Sequence, residues 1–165
     1  MKKWMILLLV IINVSHATLI RDDTLEVVYD DKTNLIWQDN VDVVTGRYVW
    51  DEAIDYCEAL DFANSQDWRV PNINELFSIV DLGYAEPAID TAIFQNIVSK
   101  YYYWSSTTFA GDSNYVWNIY FGYGHDSTCT RGHRYHVRCV RDKKAKVVVP
   151  SPKEASPFIY YYLLN

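Results

Sequence analysis

The sequence is short of cysteine, glycine, proline and positive charge. It holds three cysteines, six glycines and five prolines in 165 residues, and 15 Lys and Arg against 21 Asp and Glu. Three cysteines are too few for a disulfide-built miniprotein, and an odd number leaves one thiol over. The scarcity of glycine and proline, with no Gly-X-Y period and no internal repeat, excludes a collagen-like or low-complexity chain. A formal net charge of −6 makes a poor general binder of nucleic acid or of an anionic membrane. Long hydrophobic runs are missing except at the start, where Trp4 to Ile12 is apolar without interruption. That run is well below the roughly 20 residues a spanning helix needs. No Gly-x-Ser-x-Gly elbow surrounds Ser105-Ser106, so a serine-hydrolase site is not indicated.

What the N-terminus does contain is an export signal. Lys2 and Lys3 precede the apolar run, and Ser15-His16-Ala17 places small residues at the −3 and −1 positions of signal cleavage. Residues 1–17 are therefore expected to be a signal peptide. The mature protein is expected to be secreted, periplasmic or at the cell surface, and not integral to the membrane. Loss of Lys2 and Lys3 takes the formal charge from −6 to −8. In that setting a disulfide among Cys57, Cys129 and Cys139 is expected, and the sequence permits three pairings.

Periodicity places the elements. Leu25 to Tyr29 and Leu35 to Gln38 predict two strands, joined by the turn residues Asp30 to Asn34. Trp50, Ala53, Ile54, Cys57 and Leu60 recur at helical spacing and put Cys57 on a buried stripe. Asn72 and Glu75 form a capping box after Pro71, opening a second helix with Ile73, Leu76, Phe77 and Val80 on its apolar face and Gly83 at its end. Trp117 to Phe121 and Tyr135 to Val140 read as strands. The stretch from Thr107 to Arg134, rich in Gly, Ser, Thr, Asn, Asp and Tyr, reads as long loops on a small sheet. From Asp142 the composition changes to a Pro-containing arm, residues 142–165, ending in the apolar run Phe158 to Leu163.

Several motifs occur together and in order: Thr33-Asn34-Leu35-Ile36-Trp37-Gln38; Trp50-Asp51-Glu52-Ala53 with Tyr56-Cys57; Asp67-Trp68-Arg69-Val70-Pro71 with Glu75-Leu76; Pro87-Ala88-Ile89-Asp90; Tyr103-Trp104-Ser105-Ser106-Thr107; and Val137-Arg138-Cys139-Val140-Arg141. In this the chain resembles the family named for the C-terminal domain of a collagen-like bacterial adhesin, the Lcl C-terminal family. The resemblance runs from about Tyr29 to Arg141, within a domain of residues 18–141. It implies an α+β, C-type-lectin-like fold: two helices and a small twisted antiparallel sheet carrying long loops, near the formylglycine-generating and sulfatase-modifying branch. It also implies a Cys57–Cys139 bridge and adhesion-type binding.

Glu86-Pro87-Ala88 and Trp117-Asn118-Ile119 each lack a ligand residue of a calcium-dependent sugar site. His125, Cys129, His133, His136 and Cys139 are zinc-type ligands, but the implied bridge takes Cys139. No metal, no cofactor and no catalytic residue is assigned. A sulfatase-modifying enzyme or maturation factor, needing Cys129 and Cys139 as a reactive pair, is an alternative. A structural or assembly subunit docking through its tail is another. Asp67, Arg69 and Glu75 read as an ion-pair and capping set, and Trp37, Trp50, Trp68, Trp104 and Trp117 as core.

The expected ligand face is Tyr-rich, with Phe109 and Tyr120 among its aromatics. Its candidate residues are Tyr101, Tyr102, Asn114, Tyr115, Tyr123, His125, Arg131, Arg134 and Tyr135, presented to a glycan or protein ligand outside the cytoplasm. Tyrosine offers contact area at small entropic cost, and small polar neighbours adapt. The late basic residues Arg131, Arg134, Arg138, Arg141, Lys143 and Lys144 suggest in addition a polyanion contact.

Overall fold

A computed structural model describes residues 18–144. The expected signal peptide and the arm from Ala145 onward, with its apolar end, lie outside the described residues. The hairpin expected near the start is present as β2 (Val27–Asp30) and β3 (Leu35–Gln38). Asp30 fastens its turn by accepting the backbone N–H groups of Lys32 and Thr33, at 2.9 and 3.2 Å, as short acidic side chains do in turns. β1 (Leu19–Asp22) pairs outside β2, and β7 (Val140–Asp142) pairs on the far side of β3, so the antiparallel order is β1-β2-β3-β7. The end of the chain thus returns to its beginning.

Three helices follow β3. α1 (Asp42–Thr45) is a single turn. α2 (Trp50–Glu58) carries Asp51 and Glu52 in its first turn, where the helix dipole favours them, and buries Ala53 and Cys57. α3 (Ile73–Ser78) opens on the expected box: Asn72 Oδ1 accepts the Glu75 N–H at 2.9 Å, and Glu75 Oε2 accepts the Asn72 N–H at 2.8 Å. Arg69 adds a bidentate pair to the Glu75 carboxylate at 2.7 and 2.8 Å. Asp67 pairs elsewhere, with Lys144 at 3.2 Å. The helix ends at Ser78, capped by Ile79, and not at Gly83. Asn72→Ala is expected to destabilise the domain by about 1 kcal/mol through the lost cap, measured as a small parallel shift of a urea unfolding curve.

The largest departure from expectation lies in the second half. The stretch read as long loops is mostly strand. β4 (Tyr102–Phe109), β5 (Asp112–Tyr120) and β6 (His125–Thr130) form a second antiparallel sheet in that order. The strand expected over Tyr135 to Val140 is confined to Val140 and beyond, with single bridges at Tyr135 and His136. The fold is therefore α+β, with three helices and two small sheets where two helices and one sheet were expected.

Strand alternation sorts the core into two parts. Val28 and Trp37 join Leu76, Tyr103, Ile119 and Phe121 on one side. Val27 and Ile36 join Ala53, Cys57, Trp68, Trp104, Val116 and Cys139 on the other. Cys57 on α2 and Cys139, next to β7, are bonded across 82 residues inside that second part. Trp50 and Trp117 are half-buried at the margins. Ser105 donates to the Trp117 carbonyl at 2.7 Å, beside buried Trp104.

One buried ionic group holds the two halves together. Asp39, fully buried, follows β3. Its carboxylate receives Arg138 and Arg21 and the backbone N–H groups of Gln95 and Asn96, at 2.9 and 3.2 Å. Arg138 is also fully buried and donates to the carbonyls of Gln38 and Asn96. It is a core residue and not part of a basic surface.

Candidate functional site

The register of the second sheet brings three aromatic residues into one row. Tyr102 on β4 faces Tyr120 on β5, and Tyr120 faces His125 on β6. Because side chains alternate, this row shares its face with Trp104, Asn118 and Ser127, one step further along each strand. The ring centroids lie 5.1 Å apart for Tyr102 and Tyr120, and 5.2 Å for Tyr120 and His125. Tyr135 packs on Tyr102 at 5.0 Å and on Trp104 at 4.7 Å, while Tyr123 lies 5.9 Å from Tyr120. The result is one aromatic chain that runs from the buried Trp104 outward to exposed His125 and Tyr123. Tyr123 is 63% exposed.

Four of the nine expected ligand residues belong to this group: Tyr102, Tyr123, His125 and Tyr135. Tyr101 stands beside it, edge-on to His136 at 5.4 Å with the Arg47 guanidinium over its ring. Tyr115 does not belong. It lies five residues before Tyr120 on an unbroken strand pairing, so it points to the opposite face, about 17 Å away at the strand rise. Asn114 stays at that far end, its carbonyl accepting the Arg131 N–H at 3.3 Å. The expected set is thus divided between two faces of the sheet. Tyr120 is the hub of the row, which only the cross-strand register reveals.

The basic residues are spent on acidic or aromatic partners. Arg131 stacks on Trp50 at 4.2 Å and approaches Asp51 at 3.7 Å; Arg134 binds Glu52 at 2.8 Å. Arg141 lies over Trp68, Lys143 pairs with Asp31 at 2.7 Å, and Lys144 with Asp67. The Arg134 guanidinium holds the Glu52 carboxyl below its ordinary range.

The zinc-type residues are dispersed. Cys139 is in the bridge, and His136 is buried against Tyr101 and Tyr103, where desolvation lowers its pKa. Among the described residues no three His, Cys, Asp or Glu side chains are grouped to hold a metal ion. Cys129 is the free thiol, half-buried, with the Tyr135 hydroxyl donating to its sulfur at 3.4 Å. With Cys139 bonded to Cys57, Cys129 and Cys139 do not form a reactive pair.

Buried phenols give the domain an alkaline limit. Burial pushes the Tyr56 phenol up to about 12, against a lowering by the Gln38 side chain that bonds it at 2.9 Å. Burial raises Tyr103 and Tyr135 as well. A folded phenol that keeps its proton beyond the unfolded value of about 10 adds stability below pH 10 and loses it as pH rises towards 12. Stability is therefore expected to fall between about pH 10 and pH 12, and Tyr56→Phe to flatten that fall, read by denaturant unfolding alongside tyrosinate absorbance.

Clefts open beside these elements. One of about 480 Å³ is lined by the polar residues Asp61, Asn64, Ser65, Gln66 and Asp67 together with Lys144. A second, about 310 Å³, lies between α3 and the Tyr115 face, lined by Ile73, Asn74, Phe77, Trp117 and Asp126. A third, about 300 Å³, opens at the end of the aromatic row between Tyr120, Tyr123, Glu86 and Lys100.

Compared with known families, residues 26–141 match the family described as the Lcl C-terminal domain. No curated protein matches the chain.

Proposed function

The chain belongs to the Lcl C-terminal domain family, and from that premise we propose that it is an exported, non-catalytic, adhesin-like module that binds a glycan or protein ligand through the aromatic end of its second sheet. The observation that carries this reading is the continuous row Tyr135, Tyr102, Tyr120 and His125, with Tyr123 at its exposed end. Rings packed on one another, and on buried Trp104 through Tyr135, are held in place before a ligand arrives, so little entropy is lost on binding. Aromatic rings of this kind suit stacking on apolar sugar faces or on partner side chains. The polyanion contact suggested by the late basic residues gains no support, because Arg131, Arg134, Arg138, Lys143 and Lys144 are paired with carboxylates and Arg141 lies over the Trp68 ring.

The test is a binding screen of the full chain, bridge oxidised, against glycans and matrix proteins. His125→Ala and Tyr123→Ala are expected to weaken a hit about tenfold or more, the scale of losing one stacked ring, with melting temperatures unchanged because both side chains are exposed. Tyr115→Ala, on the opposite face, is expected to bind as the parent does. A hit lost with Tyr115→Ala and kept with His125→Ala would move the site to the other face.

A further inference from the structure

The cleft at the end of the aromatic row is built from three separated parts of the chain. Glu86 comes from the segment after α3, Ser99 and Lys100 from the approach to β4, and Tyr120, Gly122 and Tyr123 from the end of β5 and the turn after it. Backbone bonds lock the first of these to the third: the Glu86 N–H donates to the Gly122 carbonyl at 3.0 Å, and the Ala88 N–H to the Phe121 carbonyl at 2.7 Å. Glu86 stands at φ +52°, a left-handed backbone that a non-glycine residue adopts at some cost. Its carboxylate is held by the Tyr123 hydroxyl, which donates to Oε1 at 2.8 Å. Gly122 forms part of the wall, and a Cβ there would lie 2.3 Å from the Tyr120 ring. The absence of a side chain is what lets the Tyr120 ring lie against the opening.

The chemistry of this cleft is specific. Two tyrosine rings offer apolar faces. One carboxylate oxygen is occupied by Tyr123, and its partner oxygen faces no other donor among the described side-chain bonds. A carboxylate in that state accepts a pair of adjacent hydroxyls, and the Lys100 ammonium and Ser99 hydroxyl supply donors for ring or hydroxyl oxygens. One carboxylate and one ammonium cancel, so the cleft offers no net attraction to a sulfate or carboxylate. Its volume, about 300 Å³, is at the small end of ligand sites and fits one sugar ring rather than a chain. We infer that this cleft seats a neutral hexopyranose with two adjacent hydroxyls, its ring stacked on Tyr123 and Tyr120 and its hydroxyl pair on Glu86. The inference rests on the binding-module reading above and narrows its ligand to an uncharged sugar terminus.

The probes are immobilised glycans ending in glucose, galactose or mannose, set beside heparin and a sialylated glycan, with the full oxidised chain in solution. Binding is expected to at least one neutral terminus, with little change on raising salt, since no charge is neutralised. Glu86→Gln is expected to weaken it by about tenfold to a hundredfold, the range for hydrogen bonds to a charged acceptor. Lys100→Ala is expected to weaken it less. Both side chains are exposed, so unchanged melting curves separate lost binding from lost folding. A hit that survives Glu86→Gln but falls with His125→Ala overturns the cleft and leaves the aromatic face standing. Retention of heparin or the sialylated glycan alone overturns the neutral-sugar assignment while leaving a binding module. No retention of any glycan overturns the inference, and protein hits lost with His125→Ala would then still support the module.

Discussion

Replacing both Cys57 and Cys139 with alanine is expected to lower the unfolding free energy by about 4–5 kcal/mol. The bridge closes a loop of 82 residues, and a loop of that length removes that much chain entropy from the unfolded state in the chain-entropy account. For a domain of this size the melting temperature is expected to drop by about 15 °C or more. The bridge also joins parts that no sheet pairing joins directly: α2 and the approach to β7 meet only in the core around Trp104 and Trp68. Gln38 reinforces the junction, its Oε1 accepting the Cys139 N–H at 3.2 Å while its amide reaches the Tyr56 hydroxyl. Thermal unfolding of the oxidised protein against the double alanine variant measures the effect. A loss below about 1 kcal/mol would mean that the unfolded chain is already compact without the bridge. Alkylation of the oxidised protein is expected to label Cys129 and neither of the other two.

Asp39→Ala is expected to cost about 3–5 kcal/mol, because it leaves the fully buried Arg138 without its counter-charge. It also strands the N–H groups of Gln95 and Asn96, which the carboxylate accepts. Arg138→Met is expected to cost less, since Asp39 then keeps Arg21 and both backbone donors. The double variant Asp39→Ala with Arg138→Met is expected to be more stable than the sum of the single losses predicts. Removing both charges takes away the desolvation penalty together with the attraction. Urea unfolding of the four proteins closes this cycle. Additive losses would mean that the two groups act independently despite their contact.

These two groups also show what the sequence makes legible. Cys57 was placed on a buried stripe by the spacing of Trp50, Ala53, Ile54 and Leu60, and its partner came from the family resemblance. The capping box of Asn72 and Glu75 was readable because both halves lie within one turn. Asp39 was not readable as a keystone. It sits in a polar run, Gln38-Asp39-Asn40, that looks like a turn, and its partner Arg138 lies 99 residues away among cations that look solvated. Trp117 to Phe121 is legible as a strand and forms the second half of β5, but the first half of β5 and all of β6 are hidden by composition. Ser113, Asn114, Asp126 and Ser127 are poor strand formers, and what holds them is pairing across the sheet, which no local pattern displays. The same register divides the expected tyrosines between two faces, and it makes Tyr120 the centre of one of them. In the sequence Glu86 stands out only as part of an incomplete calcium motif. Its place in the cleft depends on the approach of Gly122 from a distant turn.

In the proposed function, ligand meets the Tyr102, Tyr120 and His125 row and not the other surfaces. The most direct measurement is a titration of the full oxidised chain, followed by its aromatic side-chain resonances, with the glycan or matrix protein retained in the screen. Tyr102, Tyr120, Tyr123 and His125 are expected to shift together and saturate at one affinity, while Tyr115, Phe109 and Phe77 stay in place. Shifts gathered on Phe77, Trp117 and Tyr115, with the His125 row unmoved, would contradict the proposed function.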